Sequence, residues 1–251
     1  ASLLLNYCME LKSGERLLVS TTTLAEPLVA ELYRQCQKMG VVMEAILEWE
    51  GKSDDFNDYG HTAQAGYINP LYKEAMETFE AYLVIRAPFL PKSRTKPNTA
   101  LNEARATANA PFHKLYFERT ATRNLRRNLC QYPTQAGAEM AGMSLEEYTA
   151  FVVNACFLNT DDPEQEWLNV RARQQSSTDL LNSCKEFRYL SPNMDITFRT
   201  DGRRWINSDG QTNMPSGEIY TSPVEDSANG HILFTLPSLY QGHQLNNVRL
   251  E

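Results

Sequence analysis

Residues 15–89 spell strand, helix, strand, helix, strand with short links between them, and that order restricts the fold more than any other feature. The run ERLLVSTT (15–22) is short, apolar and β-leaning, and it follows the turn Lys12-Ser13-Gly14. AEPLVAELYRQCQKMG (25–40) spaces Leu28, Leu32, Cys36 and Met39 at helical intervals and closes on Gly40, a C-terminal stop. VVMEAILEW (41–49) begins a second strand at once. In NPLYKEAMETFEAYLVIRAPF (69–89), Pro70 opens a helix and Tyr82-Leu83-Val84-Ile85 makes a third strand. Strands joined through a helix run parallel, because the crossover returns the chain in its original direction. The expected class is therefore α/β, with a Rossmann-like parallel sheet covered by helices.

The middle reads as helical. LNEARATANAPFHK (101–114) is Ala-rich, and ATRNLRRNLCQYP (121–133) continues to a stop at Pro133. Ser144 fits a helix cap with Glu147 at the third position of its turn, and a helix follows through Val152. Pro163 occupies the first turn of another helix. Beyond about residue 185 the texture changes to short β-type pieces separated by Gly, Pro, Asn and Asp. Two domains are expected: an N-terminal α/β domain over 1–187, then at 188–251 the beginning of a second, mainly β domain.

Composition narrows the partners. With 42% apolar and 22% charged residues, the 251-residue chain has the balance of an ordinary soluble protein. A formal net charge of −7 argues against nucleic acid or an anionic membrane as the main partner. No apolar run approaches the roughly 18 residues that a membrane helix needs. Asn6, Tyr7 and Glu10 interrupt the apolar start too early for a signal peptide, and the scattered cysteines favour a cytoplasmic protein. Cys8, Cys36, Cys130, Cys156 and Cys184 are widely spaced without a C-x-x-C pair, and read as reduced, mostly buried thiols.

Several candidate sites are weak. After the first strand comes VSTTTLAEP, with neither G-x-G-x-x-G nor a Walker lysine, so a dinucleotide site has little support. Its hydroxyls either cap the following helix, the plainer reading, or hold an anion. His61, His113, His231 and His243 lie far apart and form no metal or triad spacing. Arg119, Arg123 and Arg126 or Arg127 share one face if ERTATRNLRRN is helical, which gives a salt-bridged surface or an anion contact. In TNMPSGEIYTSP (212–223), Asn213, Pro215 and Gly217 make a tight turn from which Glu218 projects at a strand start. A carboxylate held by rigid backbone loses little entropy on taking a cation or a substrate amine. Glu225 and Asp226 follow in SPVEDSANG, and three acids so close are compatible with a hard-oxygen metal site.

INSDGQTNMPSGEIYTSPVEDSANGHI (206–232) as a whole is far more specific, and resembles the signature of the M29 aminopeptidases, a family of thermophilic metallopeptidases. KLYFERTATRNLRRNLCQYPTQAGAEMAGMSLEEY (114–148), DPEQEWLNVRARQQSSTDLLNS (162–183) and MELKSGERLLV near the start are similar to that family too; the segment 87–113 matches it only loosely. The resemblance implies an N-terminal α/β domain followed by a catalytic domain, with N-terminal residues released from peptide substrates. It implies two divalent metal ions, zinc or cobalt with magnesium or manganese as alternatives, and a homodimer whose active sites face an internal cavity. The glutamate of N-x-P-x-G-E is the first metal ligand in the family, which places Glu218 in that role. The family's other ligands, a second glutamate, two histidines, a tyrosine and an aspartate, lie well beyond the first and have no match here. The expectation is that these residues are the N-terminal portion of a longer enzyme, inactive by themselves. The alternative is a non-catalytic α/β module for ligand binding or dimerisation.

Overall fold

The computed structural model describes residues 1–90, 98–240 and 243–251; residues 91–97 of the loosely matched segment lie outside the described residues. The chain divides into two compact units, Ala1–Leu168 with Gly210–Ser216, and Asn169–Asp209 with Gly217–Glu251.

In the first unit, β1 (Arg16–Thr22), α1 (Glu26–Met39), β2 (Val42–Glu48), α2 (Lys52–Tyr59), α3 (Thr62–Ala65), α4 (Pro70–Thr78) and β3 (Ala81–Arg86) follow the expected alternation. They are succeeded by α5 (Thr99–Ala121), β4 (Arg126–Gln131), α6 (Gln135–Ala141), α7 (Leu145–Ala155) and α8 (Pro163–Ser183), whose residues from Asn169 onward fall in the second unit. Local chemistry sets the ends. Gly40 closes α1 in the left-handed region at φ 73°. Asn69 caps α4 ahead of Pro70. Ser144 and Glu147 close a reciprocal capping box on α7.

All pairings in the main sheet are parallel, in the order β2-β1-β3-β4-β8, where β8 is Asn213–Met214. Leu17, Leu18 and Val19 are consecutive and fully buried, which requires both faces of β1 to be covered. Leu18 packs with Ala75, Met76, Phe79 and Leu125 in one cluster between α4 and the sheet. The α/β expectation holds.

One segment departs from it. Arg126–Gln131 is a strand, not the tail of a helix, because its backbone pairs with β3 on one side and with β8 on the other. Tertiary pairing of this kind outweighs a helix-compatible local pattern. The arginines therefore share no helical face, and each has a structural partner. Arg126 pairs with Glu15 at 2.6 Å and Arg123 with Glu10 at 2.7 Å. Arg127 Nη1 donates to Asn213 Oδ1 at 3.4 Å. Arg119 donates to the carbonyls of Ala75, Met76, Phe79 and Asn124 at 2.8–3.3 Å, which satisfies orphan groups at the end of α4.

The second unit is mainly antiparallel. β5 (Glu186–Ser191) and β6 (Met194–Arg199) form a hairpin, β7 is Ile206–Ser208, β9 is Glu218–Tyr220, and β10 (Asn229–Phe234) adds to β6. β11 (Ser238–Tyr240) pairs with β12 (His243–Leu245), and β13 (Val248–Leu250) completes a sheet in the order β13-β10-β6-β5. Phe187 stacks on Phe198 at 5.4 Å and meets the edge of Trp205 at 5.0 Å. Asn182 on α8 exchanges two hydrogen bonds with the Trp205 backbone, tying helix to sheet. Gly230 is required where it stands: a Cβ there would meet the Asp195 carbonyl oxygen across the pair.

Replacing Arg119 by Met keeps the apolar stem but removes its hydrogen bonds to four carbonyls, of which Ala75 O keeps the Phe79 amide, and the expected loss is about 2–3 kcal/mol of unfolding free energy. Urea denaturation measures it, and an unshifted midpoint contradicts the role. Arg16 donates to both oxygens of Glu80, at 2.8 and 3.2 Å, and these bonds hold the Glu80 carboxyl below its ordinary value against opposing desolvation. With the folded value depressed, this contribution is complete above the unfolded value and disappears as pH falls through the folded one. Glu80→Gln is expected to flatten the acid limb of a Tm-against-pH profile; an unchanged limb rules the pair out as its source.

Candidate functional site

Glu218 opens β9 in the second unit. Its partner strand is β7, with Ser208 opposite Glu218 and Asn207 opposite Ile219. Gly217 sits at φ 109°, a conformation that L residues rarely adopt, and its amide donates to Ser208 O at 3.0 Å. Met214-Pro215 is a cis peptide. From α8, Gln174 Nε2 donates to the Glu218 carbonyl at 2.7 Å. Asn207 Nδ2 donates to Arg171 O at 2.9 Å and to Gln175 Oε1 at 3.2 Å. Arg171 pairs with Asp209 as well. The helix thus holds β9 through its backbone and β7 through the Asn207 side chain, while the Glu218 side chain itself is left exposed, with no hydrogen bond or ion pair among the described residues.

That arrangement bears on a metal. Glu218 offers one anionic oxygen donor, and two further oxygens, Gln174 Oε1 and Asn207 Oδ1, are buried with no hydrogen-bond partner. Oxygen donors of this type suit a divalent cation. The residues fit one part of a binding shell, and among the described residues no group of three His, Cys, Asp or Glu comes together to complete one.

The other candidates fall elsewhere. Glu225 is held by Arg203 Nη2 at 2.6 and 2.7 Å, and its backbone hydrogen bond and that arginine keep its carboxyl below the ordinary range. This is a turn-stabilising pair on an exposed surface. Asp226 lies in the same turn and adds its charge near Arg199. His61 begins α3, where its backbone N–H donates to Gln64 Oε1. His113 is on α5, and His231 is on β10 opposite Asp195; the His243 side chain lies outside the described residues. Cys8, Cys36, Cys130 and Cys156 are buried, Cys184 is exposed, and none of the five is in a disulfide. Burial pushes Cys36 and Cys156 up to about 11 and Cys130 up to about 12, which removes the thiolate a nucleophile needs.

The last two hydroxyls of β1 turn inward: Thr21 Oγ1 donates to Ile85 O at 2.9 Å and Thr22 Oγ1 to Ala87 O at 2.6 Å, and α1 follows its N-cap Ala25 without a side-chain cap. Sequence reasoning also missed Gln174 and Asn207. They stand within blocks that read as family-like, but no local spacing rule links a polar side chain on a helix to a carbonyl 44 residues on.

The model of the thermophilic metalloprotease (M29) family matches residues 1–251, and the chain belongs to that family. "Aminopeptidase 2" of Geobacillus stearothermophilus is 24% identical over all of this chain and 66% of its own length. "Aminopeptidase AmpS" of Bacillus subtilis (strain 168) is 26% identical over 47% of this chain and 31% of its own. The structure of wild-type AmpT from Thermus thermophilus shares the fold with a TM-score of 0.80 at 16% identity, over 99% of this chain and 66% of that one. The chain thus spans just under two thirds of the relatives that it matches end to end. Among the described residues, no helix is long and apolar enough to cross a membrane.

Because a Cβ on Gly217 would meet nothing within 4 Å, only its backbone conformation resists substitution. Gly217→Ala is expected to cost about 1–2 kcal/mol of stability, read as a lowered urea midpoint. A neutral result means that the turn can reach an ordinary φ and does not hold Glu218 rigidly.

Proposed function

We propose that the protein to which this chain belongs is a metal-dependent aminopeptidase that releases N-terminal amino acids from peptides. One observation carries the reading: Glu218, in N-x-P-x-G-E of a chain matched end to end by a metalloprotease family, has a pinned backbone and an unengaged carboxylate. The names of the relatives support the aminopeptidase class. Two divalent cations, zinc or cobalt with magnesium or manganese as alternatives, supply Lewis-acid polarisation of the scissile carbonyl and lower the pKa of a nucleophilic water.

The chain's own residues have narrower tasks. Glu218 binds cation with one carboxylate and contributes negative charge to the shell. Gly217 supplies the backbone conformation that starts the strand there. Gln174 holds the main chain of that strand and Asn207 ties its partner strand to the same helix, so the carboxylate is oriented before any cation arrives. A structural or catalytic site of this kind uses three or four protein ligands, so the proposal requires further donors beyond this set. By themselves, these 251 residues are proposed to be inactive. The family resemblance supports a homodimer, and buried cysteines that form no disulfide support a reducing, cytoplasmic setting.

In the longer protein, Glu218→Gln is expected to lower kcat/KM on an amino-acid p-nitroanilide by on the order of 100-fold or more, with weaker metal retention after dialysis. Full activity at saturating metal removes Glu218 from the mechanism. Metal-dependent cleavage by the 251-residue chain alone contradicts the incomplete-shell account.

A further inference from the structure

The first unit contains a feature that peptide hydrolysis does not use. In the order β2-β1-β3-β4, neighbours are added to β1 on opposite sides, which makes β1 and β3 the switch point of the sheet. Crossovers diverge to opposite faces there and leave a crevice beyond the carboxyl ends of the two strands. Here that place is a cavity of about 960 Å³ into which Ser20–Thr22 and Ile85–Ala87 project, within the range of small-molecule sites.

Its lining has an uneven chemistry. Phe56, Tyr59, Tyr67, Tyr72 and Tyr82 supply rings. Tyr59 is 77% exposed and Tyr67 70%, so the core does not account for them. Tyr72 meets the edge of Tyr82 at 6.0 Å, and burial pushes both phenols up, Tyr72 to about 12, so neither carries negative charge near neutrality. Among the described lining residues are the cations Lys52, Arg86 and Arg105 and the anions Glu48 and Asp55. Lys52 is already bound to Glu48 at 3.3 Å. Arg105 lies over the Phe56 ring at 4.4 Å, and neither Arg105 nor Arg86 has a carboxylate partner among the described residues. Arg16, Arg123, Arg126 and Arg203 in the same acidic chain are all paired.

We propose that this crevice binds a small organic carboxylate carrying an aromatic ring, its charge read by Arg86 and Arg105 and its ring by the exposed tyrosines. A guanidinium fork matches the two oxygens of a carboxylate, and stacks on planar groups. Two features disfavour a phosphate. The Thr21 and Thr22 hydroxyls spend their protons on main-chain carbonyls, and no glycine-rich loop offers amide donors.

The test is titration of the purified 251-residue protein with 3-phenylpropionate, followed by thermal shift and calorimetry, beside 3-phenylpropanol, inorganic phosphate and adenosine monophosphate. Phenylpropionate is expected to raise Tm and to saturate, while the neutral alcohol and phosphate do neither. Arg86→Gln with Arg105→Gln should weaken binding at least tenfold without lowering the Tm of the unliganded protein, and the double Lys variant should recover part of it. Glu218→Gln should leave the titration unchanged, which separates this site from the metal reading. The proposal is overturned by no binding at roughly 10 mM, where a Kd of a few millimolar would show. It is equally overturned by equal binding of the alcohol, by equal affinity in the Gln variant, or by tighter binding of the nucleotide, which assigns the crevice to phosphates.

Discussion

The Gln174 amide holds the Glu218 carbonyl at 2.7 Å, and the site depends on that bond more than on any property of the carboxylate. An exposed glutamate on a free strand end samples many directions, and ordering it costs side-chain and backbone entropy. Here the backbone is ordered in advance. Gln174 takes its carbonyl, Ser208 accepts from the Gly217 amide before it, and Asn207 returns β7 to the same helical turn. The Gln174 side chain of α8 acts on the main chain of β9, and the Asn207 side chain of β7 reaches back to a carbonyl and a side chain of α8, so the strand pair is placed by hydrogen bonds where apolar burial is sparse. Ile206, Glu218 and Tyr220 are exposed, and the sheet is only two strands wide. Two-stranded ribbons are marginal without such support.

The first unit follows a different logic. Its parallel sheet is covered on both faces, and burial of Leu17, Leu18, Val19 and Leu83 supplies the driving force. The charged residues at its margins are structural. Arg16 with Glu80, Arg126 with Glu15 and Arg119 with four carbonyls connect the amino ends of strands to helix ends. These groups are half-buried, where a guanidinium can satisfy several acceptors without the full desolvation cost of deep burial. At the other end of the strands stand Arg86 and, from α5, Arg105, which have no carboxylate partner among the described residues.

The parts of the fold legible in the sequence were those with local causes. Gly40, Pro70 and the Ser144–Glu147 box mark helix ends through their own backbone chemistry, and apolar runs at 17–19 and 83–85 mark central strands. β4 was not legible, because RRNLCQ becomes a strand through β3 and β8, neighbours remote in sequence. Nor was β8, two residues that join the parallel sheet although they lie among the β-type pieces of the second module. At the site, the turn at Gly217 and the projecting acid were readable from N-x-P-x-G-E, whereas Gln174 and Asn207 were not. A side-chain amide that bonds a distant carbonyl leaves no periodic trace. Glu225 looked equivalent to Glu218 by composition alone; the bond from Arg203 separates them.

The account's central claim is that the Glu218 carboxylate is a ligand of the catalytic cations. Diffraction from zinc-loaded crystals of the longer protein, with anomalous differences collected on both sides of the zinc edge, tests it most directly. The expected result is a zinc peak with a Glu218 oxygen at about 2.0–2.2 Å. A fully liganded zinc pair from which the Glu218 side chain stands apart would contradict it.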